Sequence, residues 1–258
     1  MAFLNGKKVL LGISGGIAAY KGIEVLRRLQ AEGAEVRVMM TGAAQKFISP
    51  LTFEVLSRHQ VYTDLFKENG NSEVVHVGLG NWPDLILIVP ATANLMAKMA
   101  NGLAEDLVTS TLLVARAPVL LAPAMETQMF QHPAVQRNLK RLQETGYQVF
   151  GPDTGKLASG AVGLGRLVVP EQIVTAAKMA VGQTGVFAGR RFLVTAGRTE
   201  EDIDPVRFVT NRSTGKMGYA VAQQAKLRGS DVILVSGPSN LEVPPGIEVR
   251  NVRTVDEM

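Results

Sequence analysis

The stretch LLGISGGIAAYKG, residues 10–22, is an apolar run that breaks into serine and glycines and then resumes as a helix. A strand, a glycine turn and a helix start suit one phosphate, because free amides, the helix dipole, a serine hydroxyl and close backbone approach all favour an anion. The order Gly12, Ile13, Ser14, Gly15, Gly16 is not G-x-G-x-x-G, and no Gly-Lys-Ser/Thr follows. Neither the dinucleotide fingerprint nor the Walker loop applies. A tight strand-to-helix turn that needs small residues for packing fits this motif equally well. Three further segments put small or polar residues after apolar runs: MTGAA (40–44), PATANLMAKMANGLAEDL (90–107) and APAMETQMF (122–130). His76, in SEVVHVGLGNWPD, is a candidate base, although a lone histidine among apolar residues is commonly structural.

The elements that must position these residues alternate. KVLLGIS (8–14), AEVRVMM (34–40), DLILIVP (84–90) and PVLLAPA (118–124) are apolar enough for strands buried on both faces of a parallel sheet. Between the first two, Ala19, Ile23 and Leu26 share a helical face with Gly22, Val25 and Leu29 beside it, and Gly33 stops the helix. Further helices are expected over 93–101, 105–116, 133–145 and 171–181, the last opened by Pro170. This alternation predicts an α/β fold, a doubly wound parallel sheet with its ligand at the carboxyl ends of the strands. The candidate segments all fall on that edge.

The domain reading is 1–181 for this first unit, a small-residue linker over 182–189, and a second, Rossmann-like α/β unit over 190–258. In the second unit RRFLVTAG and DVILVSGP are strands around the helix GKMGYAVAQQAKLRG, and RTVDEM reads as a helix start. One βαβ unit makes no stable domain alone, so the second unit is expected to be incomplete, the start of a larger domain.

With 258 residues, 46% hydrophobic and 19% charged, the chain can bury a real core and is not disordered. No apolar stretch approaches membrane-spanning length, and the start lacks a cleavage region. There are no cysteines, which excludes disulfides, thiolate metal sites and cysteine nucleophiles and fits a cytoplasmic protein. The net charge of +4 is spread along the chain, so neither nucleic acid nor membrane is an expected partner.

GISGGIAAYK, PATANLMAKMANGLAEDL, PAMxxxM and GPxxGxLAxGxxGxGR follow one another as in the flavin-containing cysteine decarboxylases, which the chain resembles along essentially its whole length. More closely it resembles the bacterial bifunctional enzymes that join a phosphopantothenoylcysteine decarboxylase to a phosphopantothenate–cysteine ligase in coenzyme A biosynthesis. LVTAGRTEEDIDPVRFVTNRSTGKMGYAVA (193–222) looks like the start of that ligase domain. The resemblance implies that the turn holds the phosphate of FMN, a mononucleotide that needs no dinucleotide spacing. It places Ile13, Ser14, Gly15 and Thr41 along the flavin phosphate and ribityl chain, with Thr92, Ala93, Asn94 and Ala122 continuing the site. It implies FMN between subunits of a trimer, with trimers associating further through ligase-domain dimers.

The same resemblance makes His76 the base that assists oxidation of the substrate's cysteinyl thiol. The resulting thioaldehyde, beta to the carboxylate, lets carbon dioxide leave, and the enethiolate is then reduced. His59 and His132 match no family motif and read as surface or packing residues. Two positions depart from the family pattern. Glu126 stands where a substrate-clamping asparagine is usual, and Ser159 where the closing segment usually carries cysteine. Met129 is retained, and Gly155, Gly160, Gly163 and Gly165 are expected to make that segment a mobile lid. In the ligase part Arg207 and Asn211 match residues implicated in handling an acyl-cytidylate, with CTP and Mg²⁺ as the family's co-substrate and metal. Which residues would hold the metal is not legible, and ligation by these residues alone is not expected. The rival readings are a flavin-binding scaffold without turnover, a flavin prenyltransferase, and, least, a generic NAD dehydrogenase.

Overall fold

The computed structural model describes residues 3–66, 74–183 and 185–258, and the chain divides into two compact units, 1–180 and 181–258. In the first unit the strands are β1 (Lys8–Ile13), β2 (Glu35–Met40), β3 (Val61–Tyr62), β4 (Leu85–Ala91), β5 (Val119–Pro123) and β6 (Gln148–Val149). They form one six-stranded sheet in the order β3-β2-β1-β4-β5-β6, parallel throughout. Every residue of β4 and β5 is buried, as a strand covered on both faces requires. Leu10, Ile86, Ile88 and Leu121 form one side of the core against Met96, Met99, Val108 and Leu112 from the helices.

The helices are α1 (Lys21–Ala31), α2 (Pro50–Ser57), α3 (Val75–Asn81), α4 (Ala93–Ala100), α5 (Leu107–Val114), α6 (Thr127–Gln131), α7 (Pro133–Glu144) and α8 (Pro170–Gly182). Gly33 ends α1 at φ +86° with its amide donating to Gln30 O, as its position in the sequence implies. The helix expected over 105–116 is shorter at both ends. Asp106 is its cap, bound in a capping box with Thr109, and Ala115 is already extended. His132 caps α7, its Nδ1 accepting from Ala134 N at 3.2 Å, a role its place before Pro133 could have suggested.

The segment expected to be a mobile lid is a β-hairpin, β7 (Asp153–Lys156) with β8 (Val162–Arg166), antiparallel and with a register shift between Asp153 and Thr154. Its turn is closed by Leu157 N donating to Ala161 O at 2.8 Å and Gly160 N donating to Leu157 O at 3.0 Å.

In the second unit β9 (Arg191–Ala196), β12 (Asp231–Ser236) and β13 (Glu248–Asn251) form a parallel sheet, with a hairpin of β10 (Glu200–Asp202) and β11 (Phe208–Thr210) and one helix, α9 (Lys216–Leu227). The expected linker residues 185–188 pack here, Phe187 N donating to Arg228 O and its ring lying 5.0 Å from that of Phe192. Residues 253–258 form a turn rather than a helix start. The Glu257 carboxylate accepts from Arg253 N and Thr254 N.

Candidate functional site

From β1 the chain winds outward through β2 to β3, and from β4 outward through β5 to β6. The carboxyl ends of β1 and β4 therefore border the crevice where an open α/β sheet takes its ligand. Ser14, immediately after β1, is 1% exposed and bridges the two strand ends. Its hydroxyl donates to Pro90 O at 2.6 Å, accepts from Thr92 N at 3.1 Å and lies 3.1 Å from Thr92 Oγ1. Thr92 in turn caps α4, accepting from Leu95 N at 3.4 Å. The serine hydroxyl thus braces the crevice, and the anion-binding capacity rests with the backbone amides around it.

The glycine turn is tightly packed at Gly15, and the facing segment is open at Gly42. A Cβ on Gly15 would lie 2.4 Å from Ala43 Cβ and 2.8 Å from its carbonyl carbon, so the turn packs against the segment after β2. Gly42, by contrast, has nothing within 4 Å of such a Cβ and opens onto a cavity of about 990 Å³. That cavity gathers Ser14, Gly15, Thr41, Thr92, Ala93, Asn94, Glu126 and Met129 from the residues read in the sequence. Ser14–Tyr20 and Thr41–Ala43 carry no acid, and the side chain of Lys21, also lining the cavity, has no ion-pair or hydrogen-bond partner among the described residues. Amides, hydroxyls, an open glycine and the Lys21 ammonium fit a phosphorylated group.

Ile13 and Ala122 are fully buried strand residues, outside the cavity lining. His76 and Ser159 do not line the cavity either. His76 is half-buried on α3, and its Nδ1 is shielded without a hydrogen-bond partner among the described residues. Ser159 is exposed in the hairpin turn, where its hydroxyl accepts from Ala161 N at 3.4 Å.

The opposite wall is built by β5, α6 and the hairpin. Ala124, Met125, Glu126 and Met129 line it, and Met125 N donates to Gly165 O at 3.0 Å, tying β8 to this connection. Among the charged groups of the lining that sequence reasoning gave no role are Lys98, Asp106, Lys156 and Arg166. Lys98 lines the cavity and pairs with Glu105 and, at 3.8 Å, with Asp106. Arg166 lines it and donates to Asp153 at 2.6 Å. That hydrogen bond is the largest cause holding the Asp153 carboxyl below its ordinary range, with the Thr154 amide adding to it. The D-x-x-T capping pattern could have singled out Asp106, and Arg166 closes the motif GPxxGxLAxGxxGxGR, which marks the position but not its partner.

In the second unit Arg207 is exposed and paired with Asp204 at 2.7 Å, and Asn211 Oδ1 accepts from Ser213 N at 2.9 Å in the turn before α9. No cluster of three or more histidine or carboxylate side chains suited to a metal occurs among the described residues. No helix among them is long and apolar enough to cross a membrane.

Residues 3–182 match the family model described as Flavoprotein, and residues 187–258 that of the DNA/pantothenate metabolism flavoprotein C-terminal domain. The chain is 51% identical over 95% of its length to the coenzyme A biosynthesis bifunctional protein CoaBC of Bacillus subtilis and 44% identical over 99% to that of Escherichia coli K12. It spans 61% and 63% of those two relatives. Among solved structures, a PPC decarboxylase mutant complexed with pantothenoylaminoethenethiol matches with TM-score 0.61 and 32% identity, covering 67% of this chain and 97% of that one. The FMN-binding protein AtHal3 matches with TM-score 0.59 and 31% identity over 67% of this chain and 95% of that one.

Proposed function

From the premise that the chain belongs to the flavoprotein family, we propose that its first unit is an FMN-dependent decarboxylase acting on 4′-phosphopantothenoylcysteine and yielding 4′-phosphopantetheine. The observation that carries this reading is the cavity at the switch point, with an acid-free glycine-turn end and a hairpin-covered opposite wall. FMN would be held at the glycine-turn end, by the amides after Ile13 and Ser14, by Gly15 and Thr41, and by the start of α4 at Thr92, Ala93 and Asn94, with Ala122 behind them. When bound, it supplies the two-electron oxidation of the cysteinyl side chain and the return of those electrons.

The protein's own groups handle protons and orientation. His76 accepts the thiol proton as the side chain is oxidised to a thioaldehyde. That carbonyl-like group takes up the electron pair released as carbon dioxide leaves, and the enethiolate formed must regain a proton. Because His76 is not in the cavity lining of its own chain, we assign it to the site of a neighbouring copy in a trimer. Ile17 and Tyr20 line the cavity yet are 61% and 59% exposed, and Phe47, Leu51 and Val55 add a further exposed apolar surface. Burying such side chains between copies favours association. The second unit is read as part of the CTP- and Mg²⁺-dependent ligase, Arg207 and Asn211 contributing to its acyl-cytidylate site, and the protein as cytoplasmic.

The direct test is whether purified protein carries flavin and releases carbon dioxide from phosphopantothenoylcysteine. Flavin without release would favour a scaffold, and absence of flavin would refute the reading.

Two substitutions probe the departures from the family pattern. Glu126 brings negative charge to the wall meant for a carboxylate, where an asparagine amide could donate. Glu126→Asn is expected to lower KM or raise kcat several-fold. Abolished activity would instead reveal a positive role for the glutamate. Ser159 has the volume of cysteine, but its hydroxyl is a far weaker acid than a thiol of pKa about 8.5. We expect turnover to be completed through another donor, with Ser159→Cys changing the rate less than about tenfold. After anaerobic mixing with substrate, a product two hydrogens short and a bleached flavin in the unaltered protein would show the cycle stalling here.

A further inference from the structure

The guanidinium of Arg166 is seated by the hairpin rather than free. A Cβ on Gly155 would lie 2.6 Å from its Cζ and Nε and 2.7 Å from Nη1, so the group lies across the bare backbone of β7. Asp153 takes one edge at 2.6 Å. Nη1 makes no hydrogen bond among the described residues, and Nε is shielded from solvent and also unpaired. An unpaired buried donor is ordinarily selected against. Here it belongs to a cation that lines the cavity and directly follows Gly165, whose carbonyl binds the amide of Met125, the neighbour of Glu126.

On the decarboxylase reading, the wall around Glu126 must accept a carboxylate that the glutamate would repel. Lys98 is already paired with two acids, Lys21 stands at the start of α1, on the glycine-turn side, and Lys156, at the end of β7, is an exposed ammonium that no partner among the described residues holds in place. Arg166 combines a seated guanidinium, an unbonded Nη1 and a place in the cavity lining that Glu126 shares. We propose that Arg166 receives the substrate's carboxylate at its unbonded Nη1, with Asp153 and Gly155 as positioning residues that fix the guanidinium. The Asp153 partner has a second consequence. It tempers the positive charge, so that the carboxylate is held without being trapped in the ground state as its charge departs.

The test compares substrate with 4′-phosphopantetheine, the product, which lacks only the carboxylate. Arg166→Gln is expected to raise KM for phosphopantothenoylcysteine about 30-fold or more, the loss usual for one partner of a shielded charge pair. Product inhibition and bound flavin should stay unchanged, and Arg166→Lys should restore part of the loss. Gly155→Ala, which keeps the charge but unseats it, should shift KM in the same direction; it decides the matter if Arg166→Gln fails to fold. Equal weakening of substrate and product, or an unchanged KM in both Arg166→Gln and Gly155→Ala, would overturn the assignment. Unaltered protein without flavin or turnover would instead remove the functional reading on which it rests.

Discussion

His76→Asn is expected to lower decarboxylation by about 10²–10⁴-fold, the usual contribution of a positioned general base, while flavin content and oligomeric state persist. Asparagine preserves polarity and approximate shape but cannot accept a proton at neutral pH. The structure sharpens this expectation. His76 sits on α3, where a core role would leave its ring nitrogens satisfied, yet Nδ1 is shielded and unpaired among the described residues. Mixing the variant with substrate under anaerobic conditions should leave the flavin oxidised, because thiol oxidation is the step that fails. Near-normal bleaching would remove His76 from the chemistry. Loss of flavin and secondary structure together would identify it as a structural residue.

Gly165→Ala should be the most damaging single change in the hairpin. At φ +147° and with Met125 O only 2.1 Å from an added Cβ, the residue allows neither the backbone conformation nor the space that a side chain needs. Strain of about 1–3 kcal/mol at the backbone adds to overpacking of about 1–3 kcal/mol, and the latter falls on a carbonyl that cannot rotate away. The expected result is detachment of β8 from the β5–α6 connection. Hydrogen exchange should accelerate at Met125 N, whose acceptor is Gly165 O, and protease should cleave within 153–166. Substrate KM should rise because Arg166 moves with β8, whereas the glycine-turn end should keep its flavin. Exchange at Met125 N as slow as in the unaltered protein would show that the hairpin absorbs the methyl group.

The alternation of apolar runs with amphipathic segments was enough to read the doubly wound sheet, since strands covered on both faces must be continuously apolar and helices must show a single stripe. Gly33, Pro133 and Pro170 mark helix ends for the same local reason: each acts through its own backbone. The strand-end segments were legible as one site because parallel strands put all their carboxyl ends on one edge. The roles within that edge were not. Ser14 looked like a phosphate ligand, but its hydroxyl is committed to Pro90 and Thr92, more than seventy residues away. Gly155 and Gly165 looked like flexibility, yet one seats a guanidinium and the other accommodates a carbonyl. Arg166 closes the motif GPxxGxLAxGxxGxGR, but nothing in that pattern said what its side chain meets. Local sequence patterns report what a residue's own backbone and periodicity demand, and these are satisfied within a turn or two of chain. Which partner consumes a hydroxyl, and which bare α-carbon receives a side chain, depends on contacts between distant segments, and only the folded chain brings those segments together.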